Sequence, residues 1–171
     1  MDNNVIKELI RVDHAGEYGA QIIYSGQIRF TKDKELKKLL QKLANEEQKH
    51  LDYFSEQSLK RRVRPSLLQP LWKIGGFSLG AITAILGKDY VMATTDAVES
   101  VIVEHYKDQL KILDNFDEEE LKKKIQEFLN DESEHQHTGE ENIVDNNEKI
   151  KALKIFVKGI TRIAIKISEK I

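Results

Sequence analysis

Cysteine is absent from this 171-residue sequence, proline occurs only twice, and aromatic residues make up 7% of it. Without cysteine there can be no disulfide, thiolate metal site, iron–sulfur cluster or cysteine nucleophile. The two prolines, Pro65 and Pro70, lie close together, so the rest of the chain lacks the residue that interrupts helices most strongly. No segment alternates apolar and polar residues in the manner of a strand. These absences predict an all-α protein without thiol chemistry.

The composition is typical of a helical bundle in which each helix has one exposed side. Hydrophobic residues make up 40% of the sequence and charged residues 33%. A chain of this length can form one domain with a substantial apolar core. We therefore predict a single domain over residues 1–171.

Six residues can be arranged as two copies of one pattern, a lone glutamate followed some thirty residues later by Glu-x-x-His. Each copy predicts one helix that carries a glutamate and an antiparallel helix that carries a glutamate and a histidine one turn apart. The first copy is Glu17, Glu47 and His50, and the second is Glu99, Glu132 and His135.

The helical phase of these residues places them on apolar stripes. Leu36 and Leu40 precede Glu47 by 11 and 7 residues, separations that lie within ~20° of whole helical turns. The other five residues of the pattern have apolar neighbours at one or both of these spacings. A third Glu-x-x-His, formed by Glu134 and His137, points outward by the same criterion.

Charge on an inward stripe is costly unless it is paired or bound to a metal. One reading is that the buried glutamates and histidines pair with each other or with arginine. However, the six residues include no lysine or arginine, and four carboxylates in one interior repel each other. Four carboxylates and two imidazoles from four helices are the ligand set of a di-iron carboxylate bundle. We therefore predict a centre of two metal ions, for which iron or manganese is better suited than zinc.

Five helical segments are predicted from the apolar periodicity and the capping signals. Asn3 or Asn4 is a candidate N-cap for the first helix, and Asp117 with Glu120 forms a candidate capping box for the fourth. Short breaks make two antiparallel hairpins, which a long crossover joins. The fold is thus predicted to be a ferritin-like four-helix bundle with an added C-terminal amphipathic helix. The predicted segments are 4–30, 33–62, 89–113, 117–144 and 148–170, with the crossover at 63–88.

Two segments predict contact with a membrane surface. Within the crossover, residues 71–87 contain one charge, Lys73, but as a helix they are too short and too rich in glycine to span a bilayer. The last helix has a basic residue at every fourth position from Lys154 to Lys170, beside an apolar side. This combination is typical of attachment to an anionic membrane surface. The alternative is a solvated basic face with the apolar side packed on the bundle. Nucleic-acid binding is disfavoured because the basic residues lack interleaved aromatics.

These residues resemble the demethoxyubiquinone hydroxylase family, the ferritin-like di-iron monooxygenases of ubiquinone biosynthesis. The matching segments are RVDHAGEYGA at 11–20, EQKH at 47–50, AVES at 97–100 and DESEH at 131–135, together with the crossover and the end of the last helix. One departure is Glu104, where the family tends to have histidine. The resemblance covers nearly the whole chain and implies that the iron ligands are Glu17, Glu47, His50, Glu99, Glu132 and His135.

The resemblance also implies the reaction and its setting. The substrate is expected to be a polyprenylated benzoquinone or quinol that lacks one ring oxygen, with O2 as oxidant, two iron ions per chain and NADH as the electron source. The enzyme is expected to lie on the membrane, at the cytoplasmic face of a bacterial inner membrane or the matrix face of the mitochondrial inner membrane. A homo-oligomer or a quinone-presenting accessory protein is left open.

Three further residues lie close to the predicted ligands. His105 and Tyr106, one to two turns beyond Glu99, are predicted to contact the ligands or to carry electrons, with plain core packing as the alternative. Asp13, one turn before Glu17, is predicted to accept a hydrogen bond from an imidazole.

Two other functions are compatible with a helical bundle of this kind. A ferritin-like iron-storage or peroxide-scavenging protein would need polar outer faces, which the apolar crossover argues against. A metal-free amphipathic adaptor would use the same helices without binding iron.

Overall fold

The computed structural model describes residues 2–170, and the side chains of residues 4–170, as an all-α, ferritin-like bundle without a strand in that range. Helices α1 and α2 form one antiparallel hairpin and α4 and α5 the other, while α3 lies in the crossover between them. The predicted fold class is therefore confirmed. The six helices are α1 (Asp2–Phe30), α2 (Lys34–Arg61), α3 (Gln69–Leu86), α4 (Lys88–Leu113), α5 (Glu119–Glu141) and α6 (Glu148–Ser168).

Helix ends follow the local sequence in some places and tertiary contacts in others. The Asp33 side chain caps α2 by accepting hydrogen bonds from two backbone N–H groups of its first turn. Helix α1 already includes Asn4, so that residue does not cap it. The predicted capping box at Asp117 is wrong, because α5 begins at Glu119 and no side chain caps it. Instead, the Glu118 carboxylate accepts two hydrogen bonds of 2.6 Å from the Arg61 guanidinium.

The crossover contains a helix that packs closely on α1. A Cβ added at Gly80 would lie 2.1 Å from the carbonyl oxygen of Ile23, and one added at Gly26 would lie 2.4 Å from that of Phe77. Glycine at both positions therefore allows the backbones of α1 and α3 to approach each other. Across residues 2–170, no helix is both long enough and apolar enough to cross a bilayer.

Helix α6 is fixed to the bundle by polar contacts as well as by its apolar side. Lys154 forms an ion pair with the buried carboxylate of Asp96 on α4. Arg162 lies 2.9 Å from the Glu104 carboxylate, also on α4. At the end of α6, the Arg11 guanidinium of α1 donates hydrogen bonds to two backbone carbonyls. Two members of the predicted basic row therefore face acids of the bundle, because those acids lie under α6.

The outer faces of α3 and α6 are apolar and exposed. Ala97 and Val98 of α4 form a small buried cluster with Val157 of α6, against which Leu79 of α3 packs, so the two helices lie on the same side of the bundle. The exposed large side chains are Leu71, Ile74, Phe77, Ile82, Ile85 and Leu86 on α3 and Ile155, Phe156, Ile160, Ile163 and Ile167 on α6.

Two larger apolar clusters enclose the middle of the bundle. One contains Phe54, Tyr106 and Phe128, and the other contains Tyr24, Leu40 and Met92. Along α1, α2 and α4, the predicted ligands lie between residues of the first cluster and residues of the second, and on α5 they follow residues of the first cluster. The charged side chains are therefore sealed from both ends by apolar packing.

Candidate metal centre

The six side chains of the two-copy pattern come together in the bundle interior. Helix α1 supplies the first glutamate and α4 the equivalent one, while α2 and α5 each supply a glutamate and a histidine. All six have 1–4% of their surface exposed. Their apolar stripes face the core, and that packing carries the charged groups inward.

The six residues form two overlapping groups of four. The ligand atoms of each group all lie within 4.8 Å of one another. Glu47 and Glu132 belong to both groups, so they lie between the two positions. The groups are Glu17, Glu47, His50 and Glu132, and Glu47, Glu99, Glu132 and His135.

Each imidazole directs its Nδ1 atom at the shared carboxylates. His50 Nδ1 lies 2.9 Å from Glu132 Oε1. His135 Nδ1 lies 2.9 Å from Glu47 Oε1, and it also lies 3.3 Å from Glu132 Oε2. Glu and His one turn apart on α2 thus meet the equivalent pair on α5.

The pKa values show that the histidines and carboxylates of the cluster strongly perturb each other. Burial alone would lower the pKa of His50, but hydrogen bonds with Glu132 and Glu17 outweigh it and raise that pKa to about 11. Burial is likewise outweighed at His135, where hydrogen bonds with Glu132 and Glu47 raise the pKa to about 12. Burial would raise the pKa of Glu132, yet hydrogen bonds with the two histidines lower it to about 2.

The remaining carboxylates are less well compensated. Burial, and then repulsion by Glu132, raise the pKa of Glu47 and Glu99 well above its usual range. Over residues 4–170, no lysine or arginine forms an ion pair with any carboxylate of the cluster. A buried set of four carboxylates and two imidazoles without a lysine or arginine partner fits a pair of divalent metal ions, whose charge would remove the repulsion. Oxygen-rich donors with imidazole suit iron or manganese.

Two carboxylates that sequence reasoning missed contact the outer nitrogens of the histidines. Asp131 Oδ2 lies 3.1 Å from His50 Nε2. Glu46 Oε2 lies 3.1 Å from His135 Nε2. Such contacts fix the tautomer of a metal-binding imidazole, so that Nδ1 is left free for the metal. The signal was in the sequence, since an acidic residue directly precedes the Glu-x-x-His in both copies.

Two tyrosines contact the lone glutamates. The Tyr106 hydroxyl donates a 2.5 Å hydrogen bond to Glu17 Oε1, so the predicted contact with a ligand position is present. The Tyr24 hydroxyl donates a 3.3 Å hydrogen bond to Glu99 Oε1. Sequence reasoning missed Tyr24, although it follows Glu17 by the same seven residues that separate Tyr106 from Glu99.

A polar network lies behind Tyr106. Asp13 Oδ1 accepts a 2.6 Å hydrogen bond from Gln109 Nε2 and lies 3.3 Å from His105 Nε2. Asp13 therefore contacts the imidazole of His105, which belongs to neither group of four, and not that of a predicted ligand. His105 itself contacts Asp13 and Gln109 rather than a predicted ligand. Burial raises the pKa of Asp13.

The histidine of the third Glu-x-x-His, His137, is exposed, as its helical phase predicts, and pairs with Glu141.

A cavity of about 10 Å³ adjoins one end of the centre. It lies between α1 and α4 and has room for about one water molecule. Ile23 and Val98 in its wall also belong to the packing beneath α3 and α6. Its lining residues are Ala20, Ile23, Tyr24, Thr94, Thr95, Val98 and Glu99.

The fold and this interior define a class, a ferritin-like helical bundle with a buried centre of carboxylates and histidines. The chain belongs to the family described as ubiquinone biosynthesis protein COQ7, whose family model matches residues 4–168. The chain is accordingly an enzyme, a hydroxylase of ubiquinone biosynthesis.

Relatives from eukaryotes and bacteria support this assignment. The chain is 39% identical over 173 residues to the NADPH-dependent 3-demethoxyubiquinone 3-hydroxylase, mitochondrial, of Dictyostelium discoideum, with 100% of this chain and 80% of the relative covered. It is 40% identical to the Homo sapiens protein of the same name, covering 97% of this chain and 78% of that protein. It is 39% identical to the 3-demethoxyubiquinol 3-hydroxylase of Rhodospirillum rubrum, covering 98% and 79%.

Proposed function

We propose that this protein is an O2-dependent monooxygenase with two iron ions, which hydroxylates the ring of a polyprenylated demethoxybenzoquinone or quinol at a membrane surface. The observation that carries the proposal is the pair of four-residue groups that share Glu47 and Glu132 inside a dry bundle. The names of the relatives support the substrate class.

The six predicted ligands would hold the two ions side by side. Glu17 and His50 would bind one ion, Glu99 and His135 the other, and the two shared carboxylates would lie between them. When bound, the iron pair would supply the redox chemistry that activates dioxygen, so that one oxygen atom enters the ring and the other leaves as water. The chain itself sets the geometry, excludes bulk water and, through Asp131 and Glu46, orients the imidazoles.

Access from lipid is supported by the position of the cavity beside Glu99. Ile23 and Val98 connect its wall to the packing under α3 and α6, whose outer faces are apolar and exposed. Each methylene of a prenyl tail that leaves lipid for water costs about 0.8 kcal/mol. In this proposal, an enzyme that docks through α3 and α6 takes the ring from the bilayer while the tail stays in lipid. Helices α1 and α4 must part to admit the ring, because the space between them holds about one water molecule.

The electron donor in this proposal is a reduced nicotinamide cofactor. The family resemblance implies NADH, whereas several relatives are named NADPH-dependent. Parallel assays with each cofactor would decide between them. We also propose that the protein is a peripheral enzyme of the inner membrane, at the cytoplasmic face in a bacterium or the matrix face in a mitochondrion. It would act as a homo-oligomer or with a quinone-presenting accessory protein.

The direct test is a single-turnover assay. The protein is loaded anaerobically with Fe(II), reduced with NADH or NADPH in the presence of a demethoxyquinone, and exposed to ¹⁸O2. We expect one labelled oxygen atom in the hydroxylated product, measured by mass spectrometry. A large soluble cage that takes up iron without hydroxylating the quinone would instead indicate a storage protein.

The matched variants are Glu99→Ala and Glu134→Ala. Glu99→Ala should abolish hydroxylation while circular dichroism shows unchanged helix content, because removal of a buried anion need not unfold the bundle. Glu134 faces solvent on α5, so Glu134→Ala should keep activity. Full activity in Glu99→Ala would contradict the assignment of Glu99.

A further inference from the structure

Two tyrosines occupy equivalent positions in the two halves of the bundle. Tyr24 lies seven residues after Glu17 on α1, and Tyr106 lies seven residues after Glu99 on α4. Each hydroxyl crosses to the other helix, where Tyr24 donates to Glu99 and Tyr106 donates to Glu17. The repeat that relates the six predicted ligands therefore extends to the groups that hold the lone glutamates.

The two ends of the centre nevertheless differ in what surrounds the glutamate. The bond from Tyr106 to Glu17 is 2.5 Å long, and the Asp13, His105 and Gln109 network packs behind it. The bond from Tyr24 to Glu99 is 3.3 Å long.

The Tyr24 end also has free space. Tyr24 and Glu99 both line the cavity of about 10 Å³ between α1 and α4. Thr95 lines the same cavity, and its buried hydroxyl lies close to that of Tyr24. The Glu99 carboxylate thus has a longer hydrogen bond than Glu17 and lies next to a space for about one water molecule.

We propose that Tyr24 is the positioning residue for Glu99, as Tyr106 is for Glu17, so that each tyrosine fixes the glutamate of one metal position. The inference rests on the metal centre of the proposed function. It assigns each tyrosine to a different metal position, since Glu17 and Glu99 each belong to only one group of four. A buried hydroxyl that donates to a carboxylate favours its ionised form and fixes its direction.

Cobalt(II) binding tests this assignment separately from hydroxylation. The protein without bound metal is titrated anaerobically with Co²⁺, and the visible absorption bands give two dissociation constants. Loss of an outer hydrogen bond to a ligand weakens metal binding by about 10- to 100-fold. Tyr24→Phe should therefore weaken one of the two constants about tenfold, and Tyr106→Phe should weaken the other at least as much. The double variant should show both losses.

Tyr53→Phe is the matched control. The Tyr53 ring packs against Phe54 and Phe128, and its hydroxyl has no hydrogen-bond partner among the side chains described. The variant should keep both dissociation constants and the absorption bands of the unmodified protein. It therefore separates the loss of a phenolic oxygen from the loss of a contact with Glu99.

A second measurement tests whether Tyr24 affects one metal position only. In protein loaded with ⁵⁷Fe(II), Tyr24→Phe should change the Mössbauer parameters of one iron signal and leave the other unchanged. Identical constants and spectra in Tyr24→Phe, Tyr53→Phe and the unmodified protein would overturn the proposal. So would equal perturbation of both metal positions by Tyr24→Phe. Failure to hydroxylate a quinone, with these site-selective effects present, would overturn the proposed function only.

Discussion

Both ring nitrogens of His50 and of His135 contact carboxylates, and this determines what must happen before a metal can bind. Hydrogen bonds with buried glutamates raise the pKa of His50 to about 11 and that of His135 to about 12, so both rings are protonated at neutral pH in the protein without metal. A metal ion binds only the deprotonated ring. Each ion must therefore displace a proton, and the affinity for metal should rise with pH.

Proton release on metal binding checks this sign directly. Titration calorimetry with Co²⁺ in two buffers of different protonation enthalpy should give different apparent binding enthalpies. The difference should correspond to at least about one proton released per ion. Equal enthalpies in the two buffers would mean that metal binding releases no protons. The two histidine rings would then be neutral before the metal binds, contrary to the prediction.

Asp131 offers a second test at the scale of one residue. Asp131→Asn leaves the size of the side chain unchanged but removes the charge that faces His50 Nε2 at 3.1 Å. We expect metal affinity to fall by about tenfold, the lower end of such effects, because Asp131 is half exposed. Glu134→Gln, on the outward face of the same helix, should leave the affinity unchanged. Equal affinities in both variants would show that Asp131 does not orient the ring.

The sequence predicts the six residues of the centre but not their partners, for a physical reason. Glu17 and Glu99 could be located because burial of a charged residue leaves a trace on its own helix, the apolar stripe. The contact from Glu46 to His135 cannot be located from an apolar stripe, since it depends on how closely α2 and α5 approach. Tyr24 lies on the apolar stripe of α1, as any aromatic residue of the core would. Only its spacing from Glu17, which equals that of Tyr106 from Glu99, distinguishes it from a packing residue.

At the scale of helices, the contact between α1 and α3 depends on glycine. In Gly80→Ala the new Cβ would lie 2.1 Å from the Ile23 carbonyl oxygen, so the two backbones must move apart. We expect a loss of about 1–3 kcal/mol in the free energy of unfolding, as in overpacked cores. Gly75 on the same helix is exposed and has no atom within 4 Å of an added Cβ.

Gly75→Ala is accordingly the control, with an expected gain of up to about 1 kcal/mol from the higher helix propensity of alanine. Urea denaturation followed by circular dichroism measures both changes. A Gly80→Ala variant as stable as Gly75→Ala would mean that α3 does not pack on α1 at this distance.

Helix prediction succeeded where local signals dominate and failed where a distant residue competes. Asp33 caps α2 because its carboxylate reaches two backbone N–H groups of the helical turn that follows it directly in the chain. At the start of α5 the predicted Asp117 cap did not form, and Glu118 binds Arg61 of another helix instead. In α6 the fourfold repeat of basic residues was plain in the sequence. Its pairing with Asp96 and Glu104 was not, because those residues come from α4.

Over the whole molecule, the exposed apolar surface is the feature that the bundle itself does not require. A helical bundle needs only inward stripes, yet α3 and α6 carry large aliphatic and aromatic side chains outward on one side. Lys154 and Arg162 form ion pairs with acids of α4, so in the proposed membrane docking apolar burial would contribute more than the basic row.

Vesicle partitioning of substituted protein tests this docking surface. Ile74 on α3 is 70% exposed and Ile163 on α6 is 58% exposed. Burying one such side chain is worth about 1.5–3 kcal/mol, so Ile74→Asp or Ile163→Asp should each reduce partitioning onto phospholipid vesicles by at least about tenfold. Leu59 on α2 is 82% exposed but belongs to neither helix, and Leu59→Asp should change partitioning little. Sedimentation with vesicles measures all three variants. Equal losses in all three variants would indicate that partitioning depends on general surface hydrophobicity. No loss in the α3 and α6 variants would show that these helices do not form the docking surface.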